Sequence, residues 1–289
     1  MTTRDQWIAG ARPKTLPAAI APVLVGTSFA GYNATFLHTL LALIVALALQ
    51  VGVNYANDYS DGIKGTDSDR VGPMRLVGSG AATPDAVKKA ALLSFLIAAI
   101  AGLILASQTS WLLILLGAVC IGAAWTYTGG PKPYGYQALG EVSVFIFFGV
   151  VATVGTYYVQ TESISREVLL ASFAMGALAC AILVLNNLRD LEKDRSSGKK
   201  TLAVVMGDKE TRDLYKWLMF FALVMSVALT FFSFYYLLAL ISLPLISKSV
   251  RTVRAGASGD VLIDLLAKTG RIQIIYAVAI SLAAWLVAR

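Results

Sequence analysis

The chain has 289 residues, of which 57% are hydrophobic and 14% charged, and its formal net charge is +7. A soluble domain typically has roughly 25% charged residues, so this chain has too few to cover the surface of a water-soluble protein. Several apolar runs reach the length of about 20 residues that a membrane-spanning helix needs. The composition therefore excludes a soluble globular protein and predicts an all-α, polytopic membrane protein.

Apolar runs bounded by charged residues, proline and glycine predict nine membrane spans. In chain order their approximate limits are 16–34, 38–57, 86–107, 110–127, 139–159, 167–188, 213–232, 234–250 and 271–288. Short links make the first and second, third and fourth, and seventh and eighth spans antiparallel pairs. The longest polar stretches are 58–85, 189–212 and 251–270. We expect the whole chain, residues 1–289, to form one membrane domain.

The basic residues predict the orientation of the chain. With the N-terminus in the cytoplasm, only Arg166 and Arg289 among the lysines and arginines lie outside. This is the positive-inside pattern of membrane proteins. It accounts for the net charge without a nucleic-acid partner, and it predicts a multi-pass protein of the cell (inner) membrane.

Two polar stripes occur at the cytoplasmic ends of the second and sixth predicted spans. The first stripe consists of Asn54, Asn57, Asp58 and Asp61, spaced i, i+3, i+4, i+7. The second stripe consists of Asn186, Asn187, Asp190 and Asp194. Each spacing predicts a single helix face, and ionisable groups near membrane depth cost a few kcal/mol unless they are compensated. The stripes are therefore the candidate functional site.

Four spans separate the two stripes, so the two halves of the chain have the same predicted orientation. The sequence thus predicts two parallel four-helix units followed by a ninth helix. Parallel repeats of this kind commonly place the working site between the halves. We therefore expect the two stripes to face each other on the cytoplasmic side.

The stripes offer carboxylate and amide oxygens, with no histidine or cysteine nearby. Hard oxygen ligands favour Mg²⁺ or Mn²⁺, and Mg²⁺ completes its coordination with water and phosphate oxygens. Catalysis is predicted to depend on Asp58, Asp61, Asp190 and Asp194. The predicted substrate-binding residues are Asn54, Lys64, Arg70, Arg75, Tyr127, Lys132, Tyr134, Asn186, Arg189 and Lys199. For any single lysine or arginine, the alternative is a solvated loop residue.

A metal-bound diphosphate beside an apolar cavity indicates ionisation of an allylic prenyl diphosphate. The metal would neutralise the departing diphosphate, and a dry cavity with aromatic faces would protect the carbocation. The alternative from another class is a secondary transporter whose carboxylates bind Na⁺, H⁺ or a cationic solute. A soluble all-helical prenyl synthase would need polar outer helix faces, which this chain lacks. Glu141 is interpreted either as a group that orients an aromatic acceptor or as an interfacial carboxylate.

Several motifs resemble those of the UbiA-type intramembrane prenyltransferases, and in particular their dihydroxynaphthoate branch. These are the stretches 12–17 (RPKTLP), 57–61 (NDYSD), 64–67 (KGTD), 72–75 (GPMR), 127–128 (YT), 133–136 (PYGY), 186–190 (NNLRD), 194–195 (DR) and 198–202 (GKKTL). The NNLRD and GKKTL motifs are the most specific, because the wider superfamily does not generally share them.

The resemblance implies transfer of a polyprenyl group to 1,4-dihydroxy-2-naphthoate in menaquinone or phylloquinone biosynthesis. It implies loss of the ring carboxylate, release of diphosphate, and two Mg²⁺ ions that bridge the diphosphate. The metal ligands implied are Asn57, Asp58 and Asp61 at one ion, and Asn187, Asp190 and Asp194 at the other. Asp67 is a further candidate ligand, although Gly65 stands where the wider superfamily has aspartate. Another aromatic acceptor, such as 4-hydroxybenzoate, and haem farnesylation remain alternatives, and no obligatory protein partner is expected.

Overall fold

The structure is a computed structural model that describes residues 2–65 and 74–289, and helices dominate both ranges. The helices are α1 (Arg4–Ala11), α2 (Pro17–Phe29), α3 (Phe36–Ile63), α4 (Pro84–Gln108), α5 (Leu112–Thr126), α6 (Gly140–Thr161), α7 (Arg166–Arg189), α8 (Leu191–Ser196), α9 (Leu202–Met206), α10 (Asp208–Leu229), α11 (Phe234–Arg254) and α12 (Gly259–Val287). Short 3₁₀ turns occur at Pro13–Thr15, Gly31–Asn33 and Tyr134–Tyr136, and α11 begins with a 3₁₀ segment. No β-strand forms within these ranges, which confirms the predicted all-α class.

Local sequence signals determine where the long helices begin. Side-chain oxygens of Thr35, Thr83 and Ser165 accept hydrogen bonds from backbone amides in the first turns of α3, α4 and α7. Such capping satisfies amides that have no partner within the helix. The apolar runs that follow can cross lipid only as helices, because lipid offers the backbone no hydrogen-bond partners.

Six helices in the described ranges are long and apolar enough to cross a membrane, namely α3, α4, α6, α7, α11 and α12. The protein is therefore a multi-pass membrane protein. Each of the nine predicted spans overlaps a helix, but α2 and α5 are shorter and α10 carries charged residues in its first turn. The count of nine spans and the cytoplasmic N-terminus stay predictions. Some boundaries differ from the predicted ones: α12 begins at Gly259, within the predicted polar stretch 251–270, and α3 continues to Ile63, within the predicted polar stretch 58–85.

Helix α7 lies at the centre of the fold and is the most buried of the candidate spans. It packs against α2, α6, α10 and α12, and small residues such as Ala171, Ala174 and Ala177 are fully buried along it. A helix that is apolar on all sides is expected to be enclosed by other helices. Helix α3 packs extensively against α4, and α12 packs against both α2 and α11. The two helices that carry the polar stripes, α3 and α7, are therefore each packed against neighbouring helices.

Polar side chains in this interior bind each other across helices. The Tyr215 and Thr269 hydroxyls are 2.8 Å apart, and those of Ser226 and Tyr276 are 2.6 Å apart. The Tyr276 hydroxyl also donates to the Ala222 carbonyl at 2.8 Å, so three hydrogen bonds join α10 to α12. Hydrogen bonds between membrane helices stabilise packing that lipid does not drive by itself.

Two glycines allow α6 and α7 to approach closely. A Cβ atom added at Gly149 would lie 2.4 Å from Cα of Gly176, and one added at Gly176 would lie 2.8 Å from the Phe145 ring. Small residues permit such backbone contact between membrane helices. In this stretch, Phe145–Val151, α6 is π-helical. The crossing places the start of α6 beside the end of α7, where the second stripe lies.

We predict that Gly149→Val lowers the stability of the protein, because the new side chain would overlap the backbone of α7. The expected loss is about 2–3 kcal/mol, as for overpacked cores, and thermal unfolding in detergent measures it. Gly155→Val is the matched control, since it lies on the same helix and a Cβ atom there meets nothing within 4 Å. Equal unfolding temperatures for the two variants would contradict the proposed close crossing.

Candidate active site

A cavity of about 990 Å³ opens between the helices of the two halves. Most of its wall is apolar, with contributions from Val45, Leu113, Phe147 and Phe148 among others. Its polar end is lined by Asn54, Asn57 and Asp61 of the first stripe and by Asn186, Asn187 and Asp194 of the second. The structure therefore brings residues from both stripes to one end of one cavity.

Asp61 connects the two halves of the chain. Its Oδ2 atom is 3.0 Å from the Lys199 ammonium, and the Tyr136 hydroxyl donates a hydrogen bond to Oδ1. The two charged side chains are only 4% and 8% exposed. The backbone amide of Lys199 donates to the carbonyl of Asp194 at 2.9 Å. Asp61 is thus linked through one residue to the second stripe.

A strap formed by residues 134–138, between α5 and α6, reinforces this link. The amide of Ala138 donates to the carbonyl of Lys200 at 2.8 Å, and Gln137 and Lys200 form a parallel bridge. Within the strap, the Tyr136 ring centroid lies 4.8 Å from the Lys199 nitrogen and 5.1 Å from the Lys64 nitrogen. Cations at such distances are attracted to an aromatic face. The strap therefore holds two lysines near Asp61.

Lys64 follows α3 and binds the loop after α5. Its ammonium donates to the carbonyl of Thr128 at 2.8 Å and to that of Gly130 at 3.4 Å. Burial lowers the pKa of Lys64 below its ordinary value, and the Asp61 carboxylate opposes that change. The Thr128 hydroxyl also donates to the Asn57 amide oxygen at 2.7 Å. The same loop therefore orients Asn57.

Asp58 anchors the backbone segment that precedes α4. Both of its carboxylate oxygens accept hydrogen bonds from backbone amides, those of Leu76 at 2.8 Å and Val77 at 3.0 Å. The residue is fully buried and is not among the groups that line the cavity. Neighbours on a helix face can have different surroundings, and here Asp58 anchors a backbone segment. Its catalytic and metal-binding roles stay predictions.

The sequence predicts that the second stripe lies on a single helix face, but the structure divides this stripe between two helices. Helix α7 ends at Arg189 and α8 begins at Leu191, with Asp190 at the break. The Arg189 guanidinium binds both Asp190 oxygens, at 2.8 and 2.7 Å, and the amide oxygen of Asn186 at 2.8 Å. Arg189 and Asp194 line the cavity, whereas the Asp190 carboxylate is not among its lining groups.

Glu141 orients Asn187. The amide nitrogen of Asn187 donates to Glu141 Oε1 at 2.9 Å, and both residues are buried. An ionised carboxylate only accepts hydrogen bonds, so Glu141 binds the NH₂ group of Asn187. The amide oxygen of Asn187 is then available to other partners. Glu141 is 7% exposed and its side chain binds Asn187, and both interpretations given for it stay predictions.

The remaining predicted residues have varied positions. Arg75, Tyr127 and Tyr134 line the cavity, and the Tyr134 hydroxyl lies 2.9 Å from both the Ala123 carbonyl and the Ser143 hydroxyl. Lys132 is exposed and is not among the lining residues. Asp67 and Arg70 lie outside the described residues.

Sequence reasoning missed several polar residues that shape this end of the cavity. Gln50 donates to the Thr15 hydroxyl at 3.1 Å, and Asn54 donates to the Ala11 carbonyl at 2.9 Å. These contacts attach the N-terminal segment to α3. Gln50 lies one helical turn before Asn54, so extending the first stripe by i−4 could have found it. Thr128 belongs to the 127–128 (YT) motif, but the motif does not show its contact with Asn57, which comes from a distant part of the chain.

The donor set suits a metal ion that is shared with a phosphate ligand. Among residues 2–65 and 74–289, no group of three acidic, histidine or cysteine side chains could hold a metal by itself. Asp61 and Asp194 line the same cavity, together with the amides of Asn57 and Asn187. Mg²⁺ typically uses one or two carboxylates and takes its other ligands from water and substrate phosphates. The residues present fit Mg²⁺ bound in this way.

Comparisons with known proteins agree with this geometry. A model described as the UbiA prenyltransferase family matches residues 19–258. A Mycobacterium tuberculosis protein named 1,4-dihydroxy-2-naphthoate octaprenyltransferase is 49% identical over 97% of each chain, and an Escherichia coli protein of that name is 39% identical over 86% of this chain and 84% of its own. A solved UbiA homolog from Archaeoglobus fulgidus bound to GPP and Mg²⁺ has a TM-score of 0.70 at 14% identity, covering 97% of this chain and 99% of that one, and so shows a shared fold.

We predict that Asp58→Ala lowers stability, because the amides of Leu76 and Val77 lose their acceptors. The expected cost is about 1–3 kcal/mol, as for buried polar groups left unsatisfied. Thermal unfolding measures it, with faster hydrogen exchange at these two amides as the local signature. Asp85→Ala, an exposed acid in the first turn of α4, is the control. Unchanged exchange at residues 76 and 77 would contradict the anchoring role.

Proposed function

Because the chain belongs to the UbiA prenyltransferase family, we propose that it transfers a polyprenyl group from a prenyl diphosphate to 1,4-dihydroxy-2-naphthoate. The family and the relatives make it a membrane prenyltransferase. The acceptor is inferred from the relatives, which are named for it. In the proposed reaction a carbon–carbon bond forms at the ring and the carbon–oxygen bond to diphosphate breaks. The ring carboxylate leaves as carbon dioxide, in a step of menaquinone biosynthesis.

The charge of the cavity wall is the observation that carries this proposal. The charged lining residues within the described ranges are Arg12, Lys14, Arg75, Arg189, Lys199, Asp61 and Asp194. Cations therefore outnumber carboxylates, which suits a polyanion such as diphosphate. A cation transporter would need the opposite balance, and family membership excludes that alternative. The apolar remainder of the cavity suits the prenyl chain.

The residues at the polar end have distinct proposed roles. Asp61 with Asn57, and Asp194 with Asn187, would hold Mg²⁺, which we propose as two ions, one from each stripe. When bound, Mg²⁺ supplies charge neutralisation for the departing diphosphate. Asp190 would act by orienting Arg189, which it binds.

The other groups bind and protect the substrate. Arg75, Arg189 and Lys199 are positioned to bind phosphate oxygens. Tyr127 and Tyr134 both line the cavity and form an edge-to-face pair with centroids 5.4 Å apart. Their faces would stabilise an allylic carbocation in a site that excludes water.

Residues 1–289 would act as one domain in the cell membrane. The family match and the relatives span most of the chain. The excess of basic residues near the stripes supports a site that opens to the cytoplasm, by the positive-inside rule. Both substrates could then reach the cavity, the diphosphate from the cytoplasmic side and its lipid tail from the bilayer.

The test is prenyl transfer by the purified protein in lipid nanodiscs, with dihydroxynaphthoate and an allylic prenyl diphosphate. We expect diphosphate release and product formation that stop when a chelator removes Mg²⁺. Asp61→Ala and Asp194→Ala should each lower the rate by about 100-fold or more, as for loss of a group that stabilises transition-state charge. Glu192→Ala is the control for Asp194, since Glu192 lies on the same short helix and is exposed.

Two results would contradict the proposal. Undiminished turnover in Asp61→Ala or Asp194→Ala would contradict the proposed role of that aspartate in binding Mg²⁺. Transfer to 4-hydroxybenzoate without transfer to dihydroxynaphthoate would move the protein to another branch of the family.

A further inference from the structure

Lys199 already neutralises the carboxylate on which metal binding is proposed to depend. Its ammonium is 3.0 Å from Asp61 Oδ2, and both side chains are almost completely buried. Lys199 and Asp61 come from different halves of the chain, and both line the cavity. The ion pair is therefore part of the polar end of the cavity and not a surface contact.

The backbone on both sides of Lys199 is fixed. Its own amide donates to the Asp194 carbonyl, and the carbonyl of Lys200 accepts from Ala138 of the strap. Thr201 caps α9 by accepting from the amide of Val204. The lysine side chain has a flexible four-carbon stem. The ammonium can therefore move between partners inside the cavity while its backbone stays in place.

The positive charges near Asp61 repel a bare metal ion more strongly than a metal ion that is bound to diphosphate. A bare divalent ion that binds Asp61 meets the positive charges of Lys199 and Lys64, whose nitrogens lie 4.8 and 5.1 Å from the Tyr136 ring centroid. Like charges at short range in a partly dry site repel strongly. Diphosphate removes this penalty, because its oxygens give the displaced ammonium a new anionic partner.

We infer that Lys199 is a counter-ion that excludes free divalent metal from Asp61 and admits the metal only together with diphosphate. The inference rests on the proposed function and deepens it: the enzyme binds the metal and the prenyl diphosphate as one unit. Lys199 therefore makes two successive contacts, with Asp61 before substrate binds and with the diphosphate afterwards.

The test measures Mn²⁺ binding by electron paramagnetic resonance, with and without inorganic diphosphate, in the full-length protein in nanodiscs. We expect weak binding of Mn²⁺ alone to the wild type. Lys199→Gln should bind Mn²⁺ alone about tenfold more tightly, because the competing charge is gone. With diphosphate present, the wild type should bind Mn²⁺ at least as tightly as Lys199→Gln, since the variant lacks the lysine–diphosphate contact.

Two further variants separate charge from folding. Lys199→Arg keeps the positive charge and should retain the weak binding of Mn²⁺ alone. Lys200→Gln makes the same charge change at the adjacent exposed position and should match the wild type. A melting curve for each variant establishes that it is folded. If Lys199→Gln does not fold, the affinity of Lys199→Arg for Mn²⁺ alone is the test.

The outcomes distinguish this inference from the proposed function. In one outcome, the wild type binds Mn²⁺ with diphosphate, but Lys199→Gln binds Mn²⁺ alone no more tightly than the wild type does. The counter-ion role is then wrong, whereas the proposed metal site is supported. Tight binding of Mn²⁺ alone to the wild type or to Lys199→Arg likewise overturns the counter-ion role. If the wild type binds no Mn²⁺ even with diphosphate, the metal-dependent function itself fails.

Discussion

The need to compensate carboxylates buried among apolar helices governs the structure of this protein. Burying a charge without a partner costs several kcal/mol, and the acidic groups of the two stripes are stabilised by different kinds of partner. Asp58 accepts from two backbone amides, Asp190 binds the guanidinium of Arg189, and Asp61 binds the ammonium of Lys199. At Asp58 and Asp61 the partner comes from a distant part of the chain, so each of these two carboxylates holds a second segment in place. The polar end of the cavity is assembled from these segments.

The compensating partners also join the two halves of the chain. Asp61 at the end of α3 binds Lys199 after α8, and Glu141 at the start of α6 binds Asn187 near the end of α7. The strap adds a backbone contact between residues 138 and 200. The proposed metal ligands of the two stripes lie at one cavity because these contacts hold the ends of α3 and α7 together.

The fold class, most helix positions and the two stripes could be predicted from the sequence, because they depend on local hydropathy and on the helical period. It did not reveal that Asp58 and Asp61, three residues apart on one helix, have different partners. That difference depends on Leu76, Val77 and Lys199, which are distant in the chain. The break at Asp190 was missed for a similar reason, since the period alone gives no sign that Arg189 turns back onto Asp190 and Asn186.

The balance of charge explains how one site can be both acidic and anion-binding. Two carboxylates face the cavity, and a larger number of cations from the described ranges surround them, so before substrate arrives the acids are already neutralised. When Lys199 turns from Asp61 to an incoming diphosphate, the Asp61 carboxylate loses its counter-ion, and a divalent ion then becomes favourable at that carboxylate. The same groups thus disfavour the metal in the empty cavity and require it in the filled one. Because the change depends on diphosphate, departure of diphosphate after transfer would restore the lysine–aspartate pair and release the metal with it.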